Sequence, residues 1–163
     1  MNAPLSQGPL TTIAGPSGFF EDLPVGRRMR HTRSATITDI ENNQLSKQMM
    51  NTAQGHWNEH LLPEGRVVFG LVTASVVMGL ASEDTMSQAL SEVGVDDLAF
   101  LAPVHQGATL TAYSEVIAAK GSPERDDAGL VTFVHYGVDQ TGRLVYRGRR
   151  TALIKRRSHW FRR

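Results

Sequence analysis

The densest cluster of side chains able to do chemistry lies in residues 51–65, Asn-Thr-Ala-Gln-Gly-His-Trp-Asn-Glu-His-Leu-Leu-Pro-Glu-Gly. His56 is a candidate general acid/base, because the reference imidazole pKa of about 6.5 lies near working pH. Asn51 cannot take a proton, but its amide oxygen can orient a water. Glu59 is an alternative carboxylate three residues beyond His56, and on a helical turn it would share a face with it. His60 completes the order His-x-x-Glu-His, which is that of the inverted zincin motif. The segment is short and ends at Pro63, and no acidic ligand helix follows, so no metal is expected. Trp57 either walls a pocket or packs in a core. His105 and His135 fall in or beside strand-like stretches, where structural roles are expected. A second feature is charge. Nine of the 17 Lys and Arg residues lie between Arg143 and Arg163, a stretch without a single acid. Such a stretch can pair with phosphate or form a solvated face.

These residues need elements to hold them. Residues 28–38 read weakly as a strand. Thr38-Asp-Ile-Glu41 matches a capping box and starts a helix running to about Met50, with Ile40, Leu45 and Met49 as its apolar face. Val67 to Ala81 is almost wholly apolar, which marks a buried helix. Gly70 near its start permits close approach of a ligand or another backbone. Ser82 to Val93 reads as a second, more polar helix. The period then changes to two: a strand around Leu98 and Phe100 extending to Val104, then strands over residues 108–119, 130–138 and 144–154. Asp139-Gln-Thr-Gly142 supplies a hairpin turn. One apolar helix and one antiparallel sheet make an α+β layout in a single domain, the sheet wrapped around the buried central helix, which is the hot-dog arrangement.

Composition sets the outer bounds. The chain has 163 residues, 20% charged and 40% apolar, with no cysteine and a net charge of +1. This length and apolar share suit one globular domain. Absence of cysteine excludes disulfides, thiolate-bound zinc and a thiol nucleophile. No stretch approaches about 18 uncharged apolar residues, so no membrane span is expected. No secretory signal is evident and a cytoplasmic location is the default. The near-neutral charge gives no nucleic-acid signal; such a role for the basic tail would require strongly salt-dependent binding. Residues 1–18 read as a loose arm, 19–157 as the folded domain and 158–163 as a basic tail.

The loop ending in His56, the run Val68-Phe69-Gly70-Leu71-Val72-Thr73 and the run Phe100-Leu-Ala-Pro103-Val104-His-Gln-Gly107-Ala-Thr109-Leu110 together resemble the MaoC-like hydratase/dehydratase family, over roughly residues 19–157. The branch most similar acts on short, branched or dicarboxylic enoyl-CoAs of the mesaconyl, itaconyl or methylmalyl type. The resemblance implies a hot-dog fold and addition or removal of water across the 2,3-double bond of an enoyl-CoA. The coenzyme A thioester is the substrate, and no further cofactor is implied.

The family motif Asp-x-Asn-Pro-x-His falls on Asn51 to His56. The histidine is kept, Asn51 replaces the acid, Ala53 and Gln54 replace Asn-Pro, and Asn58 stands where an acid often follows. The implied roles are His56 as acid/base and Asn51 as an orienter of water or thioester, with Glu59, offered by its spacing rather than by the motif, as the third candidate. Gly70, Phe69 and Trp57 are implied at the acyl group. Arg149 and Arg150, with Lys155 and Arg156, are candidates for the coenzyme phosphates. Alternation puts Arg147 and Arg149 on one face and Arg150 on the other. Pockets in this fold class lie between subunits, which implies a homodimer or a dimer of dimers. Two alternatives stay open: a thioesterase, for which Glu59 would have to activate water, and a non-catalytic acyl-CoA-binding subunit, suggested by the missing acid.

Overall fold

The computed structural model describes residues 16–159. Most of the expected loose arm and of the basic tail therefore lie outside the described residues. Elements follow in the order β1 (Arg28–Thr36), α1 (Asp39–Gln48), α2 (Gly70–Thr85), β2 (Ala89–Phe100), β3 (Thr109–Gly121), β4 (Ala128–Val138) and β5 (Leu144–Lys155), with short 3-10 turns at Phe20–Asp22, Gln54–His56 and Arg157–His159. All five strands pair antiparallel in one sheet, ordered β1-β3-β4-β5-β2. On β3 the alternate residues Leu110, Ala112, Ser114 and Val116 are buried. Leu110 and Ala112 share one core with α2, whose Val72, Ala74, Val77 and Ala81 are also buried, while Val116 packs with Leu23, Val131 and Phe133 in a second. The sheet wraps a central helix, as the pattern of residues 67–81 requires.

The capping box forms as expected. Thr38 Oγ1 accepts from Glu41 N–H, and Glu41 Oε2 accepts from Thr38 N–H at 2.7 Å. Thr38 Oγ1–H also donates to Glu41 Oε2 at 2.7 Å, and that bond, with the smaller contribution of the backbone N–H, holds the Glu41 carboxyl below its ordinary range. The β4–β5 hairpin turns at Gly142, whose φ of +85° favours glycine, while Asp139 Oδ1 accepts from the N–H groups of Thr141 and Arg143.

Four expectations are corrected. The segment 82–93 is not a second helix: α2 continues to Thr85 and β2 begins at Ala89. β2 is an edge strand, exposed along nearly its whole length, so its residues carry no period-two signal. That strand ends at Phe100, and Val104 lies beyond it, itself buried in a loop whose Leu101, Pro103 and Gly107 are exposed. The apolar face foreseen for α1 does not form: Ile40 and Met49 are exposed, while the fully buried positions are Asn42 and Ser46. Finally, α1 stops at Gln48. Met50 N–H reaches Lys47 O and Asn51 N–H reaches Ser46 O, with Met50 at φ 54°, so Met50 is the left-handed residue that ends the helix rather than its last turn.

A polar chain, buried except at the half-exposed Asp84, ties the elements together at the far end of α2. Asp84 accepts from His31 Nδ1–H at 2.6 Å, and Ser114 Oγ stands 2.7 Å from both His31 Nε2 and His135 Nδ1. His135 has no solvent exposure, and burial, with smaller contributions from the Arg150 and His31 charges, pushes its pKa down to about 3. A histidine held neutral by the fold, against an unfolded value near 6.5, supplies stability at neutral pH. That stability drains as pH falls from about 6.5 toward 3, by up to ~1.4 kcal/mol per unit. Urea titrations of wild type and His135→Gln across pH 7 to 4 are expected to show a shallower acid loss in the variant; equal slopes would contradict it.

Candidate active site

His56 closes the 3-10 turn Gln54–His56, its N–H bonded to Ala53 O at 3.1 Å. Its ring Nδ1 lies 2.8 Å from Val67 O. A carbonyl only accepts, so Nδ1 carries the proton, and Nε2 of the neutral ring is left as a bare acceptor. The Phe69 ring stands beside it, centroids 5.4 Å apart.

The loop that carries His56 is fixed by a residue the sequence reading did not single out. Asn42 is fully buried on α1. Its Oδ1 accepts from Phe69 N–H at 3.0 Å, and its Nδ2 points at His56 O and Val67 O at 3.5 and 3.4 Å. Ser46 Oγ, one turn on, donates to the same Oδ1 at 3.4 Å. One amide thus spans the two ends of the loop. Val67 N–H returns to Gly55 O at 3.0 Å, and Val68 N–H bonds Val104 O at 2.7 Å. Arg66 does the corresponding work outside: its mostly buried guanidinium pairs with Asp39 of α1 and with Glu59, while Nε also donates to Gln106. An Asn and an Arg among other polar residues look solvated in sequence; only the i, i+4 spacing of Asn42 and Ser46 hints at a shared buried face.

His56 lines a cavity of about 340 Å³ with Gly70, Thr73, Phe100, Val104 and Val145. Its walls are apolar apart from His56 and Thr73, since Val67, Val68 and residues 101–103 supply the rest. The N-terminus of α2 opens here. Phe69 N–H is taken by Asn42, and the Val72 and Thr73 N–H groups turn back to Phe69 O, which leaves those of Gly70 and Leu71 as open donors. A Cβ at Gly70 would come within 2.9 Å of the Phe100 ring, so the close approach here requires glycine.

The other expected residues are placed elsewhere. Asn51 turns its Oδ1 to Ala53 N–H at 2.9 Å, within its own loop. Glu59 is held by Arg66 Nε at 2.8 Å and Gln106 Nε2 at 3.2 Å. Trp57 is partly exposed beneath Lys47 Nζ, 5.7 Å from its ring. None of the three lines the cavity. Among the described residues no group of three or more His, Asp or Glu side chains is placed to hold a metal ion. Arg147 and Arg149 pair with Asp97 and Asp96 of the edge strand, and Arg150 pairs with Glu92 and donates to Ser82 of α2. The alternation on β5 is as expected, with Arg150 turned toward the helix, but all three guanidiniums meet β2 acids rather than the cavity. Glu64 takes His105, and His135 lies in the buried chain. A larger depression of about 540 Å³ lies among Arg28, Arg30, Tyr113, Ser114, Glu115 and Tyr136, and His56 does not line it.

A family model described as mesaconyl-CoA hydratase matches residues 21–156. The chain is 31% identical over 119 residues to a beta-methylmalyl-CoA dehydratase of Chloroflexus aurantiacus, an alignment covering 71% of this chain and 34% of that protein. A putative MaoC domain dehydratase from the same organism superposes with a TM-score of 0.79 at 25% identity, over 88% of this chain and 46% of the other. A Mycobacterium tuberculosis protein with a double hot-dog fold superposes with a TM-score of 0.69 at 22% identity, over 90% of this chain and 46% of the other. The chain thus spans between a third and a half of the length of these proteins.

Removing the Asn42 amide strands the Phe69 N–H and loosens both loop ends. Asn42→Ala is expected to lower stability by about 2–3 kcal/mol, by denaturant titration, as for a buried polar network left half satisfied. A loss under about 0.5 kcal/mol would show that the loop holds its shape without Asn42.

Proposed function

The chain belongs to the mesaconyl-CoA hydratase family of MaoC-like hot-dog proteins, and on that premise we propose that it reversibly hydrates a short, branched or dicarboxylic 2-enoyl-CoA to the 3-hydroxyacyl-CoA. The observation that carries this reading is the pairing, in one apolar cavity, of a histidine whose Nδ1 is tied to Val67 O with the open N-terminus of α2 at Gly70.

The chemistry follows from that pairing. The thioester oxygen accepts from the Gly70 or Leu71 N–H, where donors and the helix dipole favour the charge that grows as the enolate forms. His56 Nε2 takes a proton from water while the water oxygen bonds the β-carbon. The π-electron pair moves onto the thioester as enolate. The imidazolium then returns its proton to the α-carbon, the enolate collapses, and His56 is neutral again. One base acting in both steps delivers water and proton to the same face. Because Asn51 bonds its own loop, His56 carries the acid/base work without a carboxylate partner.

Hydrolysis of the thioester is less well supported, since Glu59, the carboxylate it needs, is spent on Arg66 and Gln106 outside the cavity. The lack of an acid beside His56 does favour one second reading, an acyl-CoA-binding subunit that pairs with an active homologous chain. The coenzyme phosphates would lie toward the Arg149 and Arg150 surface only if substrate displaced their β2 acids. A cytoplasmic location goes with a coenzyme A substrate.

We assign the edge of β2 to a second hot-dog unit, supplied by another copy of this chain. It exposes Leu90, Val93, Leu98 and Phe100, an apolar row that a lone chain leaves uncovered. The relative with a double hot-dog fold carries about twice this length in one chain. Phe100 belongs both to this edge and to the cavity, so assembly would complete the site.

Wild type is expected to remove the enoyl-thioester absorbance of mesaconyl-, itaconyl- or crotonyl-CoA without releasing free thiol, and a folded His56→Ala to lose at least about 100-fold in rate. Undiminished activity in that variant, or thiol release in step with absorbance, would overturn the reading. In light scattering the chain is expected to run as a dimer and Val93→Lys to weaken it; a monomeric wild type would count against the edge assignment.

A further inference from the structure

The first turn of α2 presents a hydroxyl that the protein itself does not use. Four hydroxyl residues lie on this helix. Ser75, Ser82 and Thr85 each donate to the carbonyl four residues back, Leu71 O, Met78 O and Ala81 O, at 2.7–2.8 Å. That is the ordinary resting place of a helical hydroxyl. Thr73 is the exception: its side chain makes no such bond, although the residue is only 2% exposed, and it lines the cavity with His56 and Gly70. Among the described residues the sealed side-chain atoms without a partner are His105 Nδ1, His135 Nε2 and Tyr146 OH, so the Thr73 hydroxyl is not sealed but open to the cavity. Here the free group faces a space otherwise walled by apolar side chains and the imidazole.

Thr73 stands three residues beyond Gly70, one turn deeper along the same helix face. A thioester whose oxygen sits at the Gly70 N–H places its α- and β-carbons beside that next turn. We infer that the Thr73 hydroxyl binds the water that adds to the β-carbon. The inference rests on the hydratase reading and supplies its missing second polar group. A nucleophilic water must point both O–H bonds away from the carbon it attacks. One O–H is donated to His56 Nε2 and is the one transferred. Thr73 Oγ1 accepts the other, which stays on oxygen and becomes the product hydroxyl. The lone pair left between them is aimed at the β-carbon. In the reverse direction Thr73 holds the substrate hydroxyl as it leaves. Asn51, which replaces the acid of the family motif, cannot take this position while its amide oxygen bonds Ala53 N–H.

The test uses Thr73→Val, which keeps the shape and removes the hydroxyl, and Thr73→Ser, which keeps the hydroxyl. Because the hydroxyl has no protein partner, Thr73→Val is expected to melt no lower than wild type. Hydration of mesaconyl- and crotonyl-CoA is expected to lose about tenfold in kcat with KM for the ester nearly unchanged, the size of one lost hydrogen bond in the transition state. Thr73→Ser is expected to recover most of that loss. In parallel, wild type is expected to bind 3-hydroxybutyryl-CoA more tightly than butyryl-CoA by calorimetry, and Thr73→Val to lose that preference. Unchanged kcat in Thr73→Val, or an equal loss in Thr73→Ser, overturns the inference. If wild type turns over neither ester, the binding preference decides. A preference that vanishes in Thr73→Val sinks the hydratase reading and keeps the Thr73 site, whereas equal binding of both esters by wild type sinks both.

Discussion

A long segment whose regular structure amounts to one 3-10 turn joins α1 to α2 and carries His56. Such a segment can hold one side chain in one place only if its backbone polar groups are satisfied from outside. Asn42 does this with a single amide, accepting from Phe69 N–H and donating toward His56 O and Val67 O. The consequences run directly to the chemistry. Fixing Val67 O gives His56 Nδ1–H a partner, which sets the tautomer. Fixing Phe69 N–H sets where α2 begins, and so where the open Gly70 and Leu71 donors lie. The capping box at Thr38 and Glu41 matters for the same reason, since it anchors the helix that presents Asn42.

The sheet and the central helix serve this arrangement from the other side. Val104 O receives Val68 N–H, and Phe100 lies across Gly70, so the C-terminal end of β2 and the loop after it close the cavity. The acids of β2 neutralise the arginines of β5 one for one: Asp97 with Arg147, Asp96 with Arg149, Glu92 with Arg150. Three of the nine basic residues that stand out in the sequence therefore form a cross-strand ladder in the fold, while Arg143 pairs with Asp139 and Arg156 and Arg157 pair with Glu21 and Asp22. Most of the ladder pairs are exposed and add little to stability, but they fix the register of an edge strand that would otherwise slip.

Much of the architecture was legible because its signals are local. The capping box, the apolar run of α2 and the Asp139–Gly142 turn each need only neighbouring residues. β2 was misread over residues 89–93 because an exposed edge strand does not alternate, and its Leu90 and Val93 mimic a helical spacing. The face of α1 was misread because it buries an amide and a hydroxyl, which hydropathy scores as solvent. His56 was found through the family motif, but the same motif pointed to Asn51, and the spacing after His56 to Glu59, which the loop spends on its own backbone and on Arg66. Asn42, Arg66 and Thr73 could not be ranked from sequence, since their importance lies in which partners are present or missing at long range.

The claim on which the mechanism turns is the protonation pattern of the His56 ring. Long-range nitrogen–proton NMR correlation on the histidine-labelled chain reads it directly, with His56→Gln giving the assignment. The account predicts a neutral ring protonated at Nδ1, with Nε2 carrying the free lone pair, and loss of that fixed pattern in Asn42→Ala. A neutral ring protonated mainly at Nε2 would contradict it, because no base would then face the cavity.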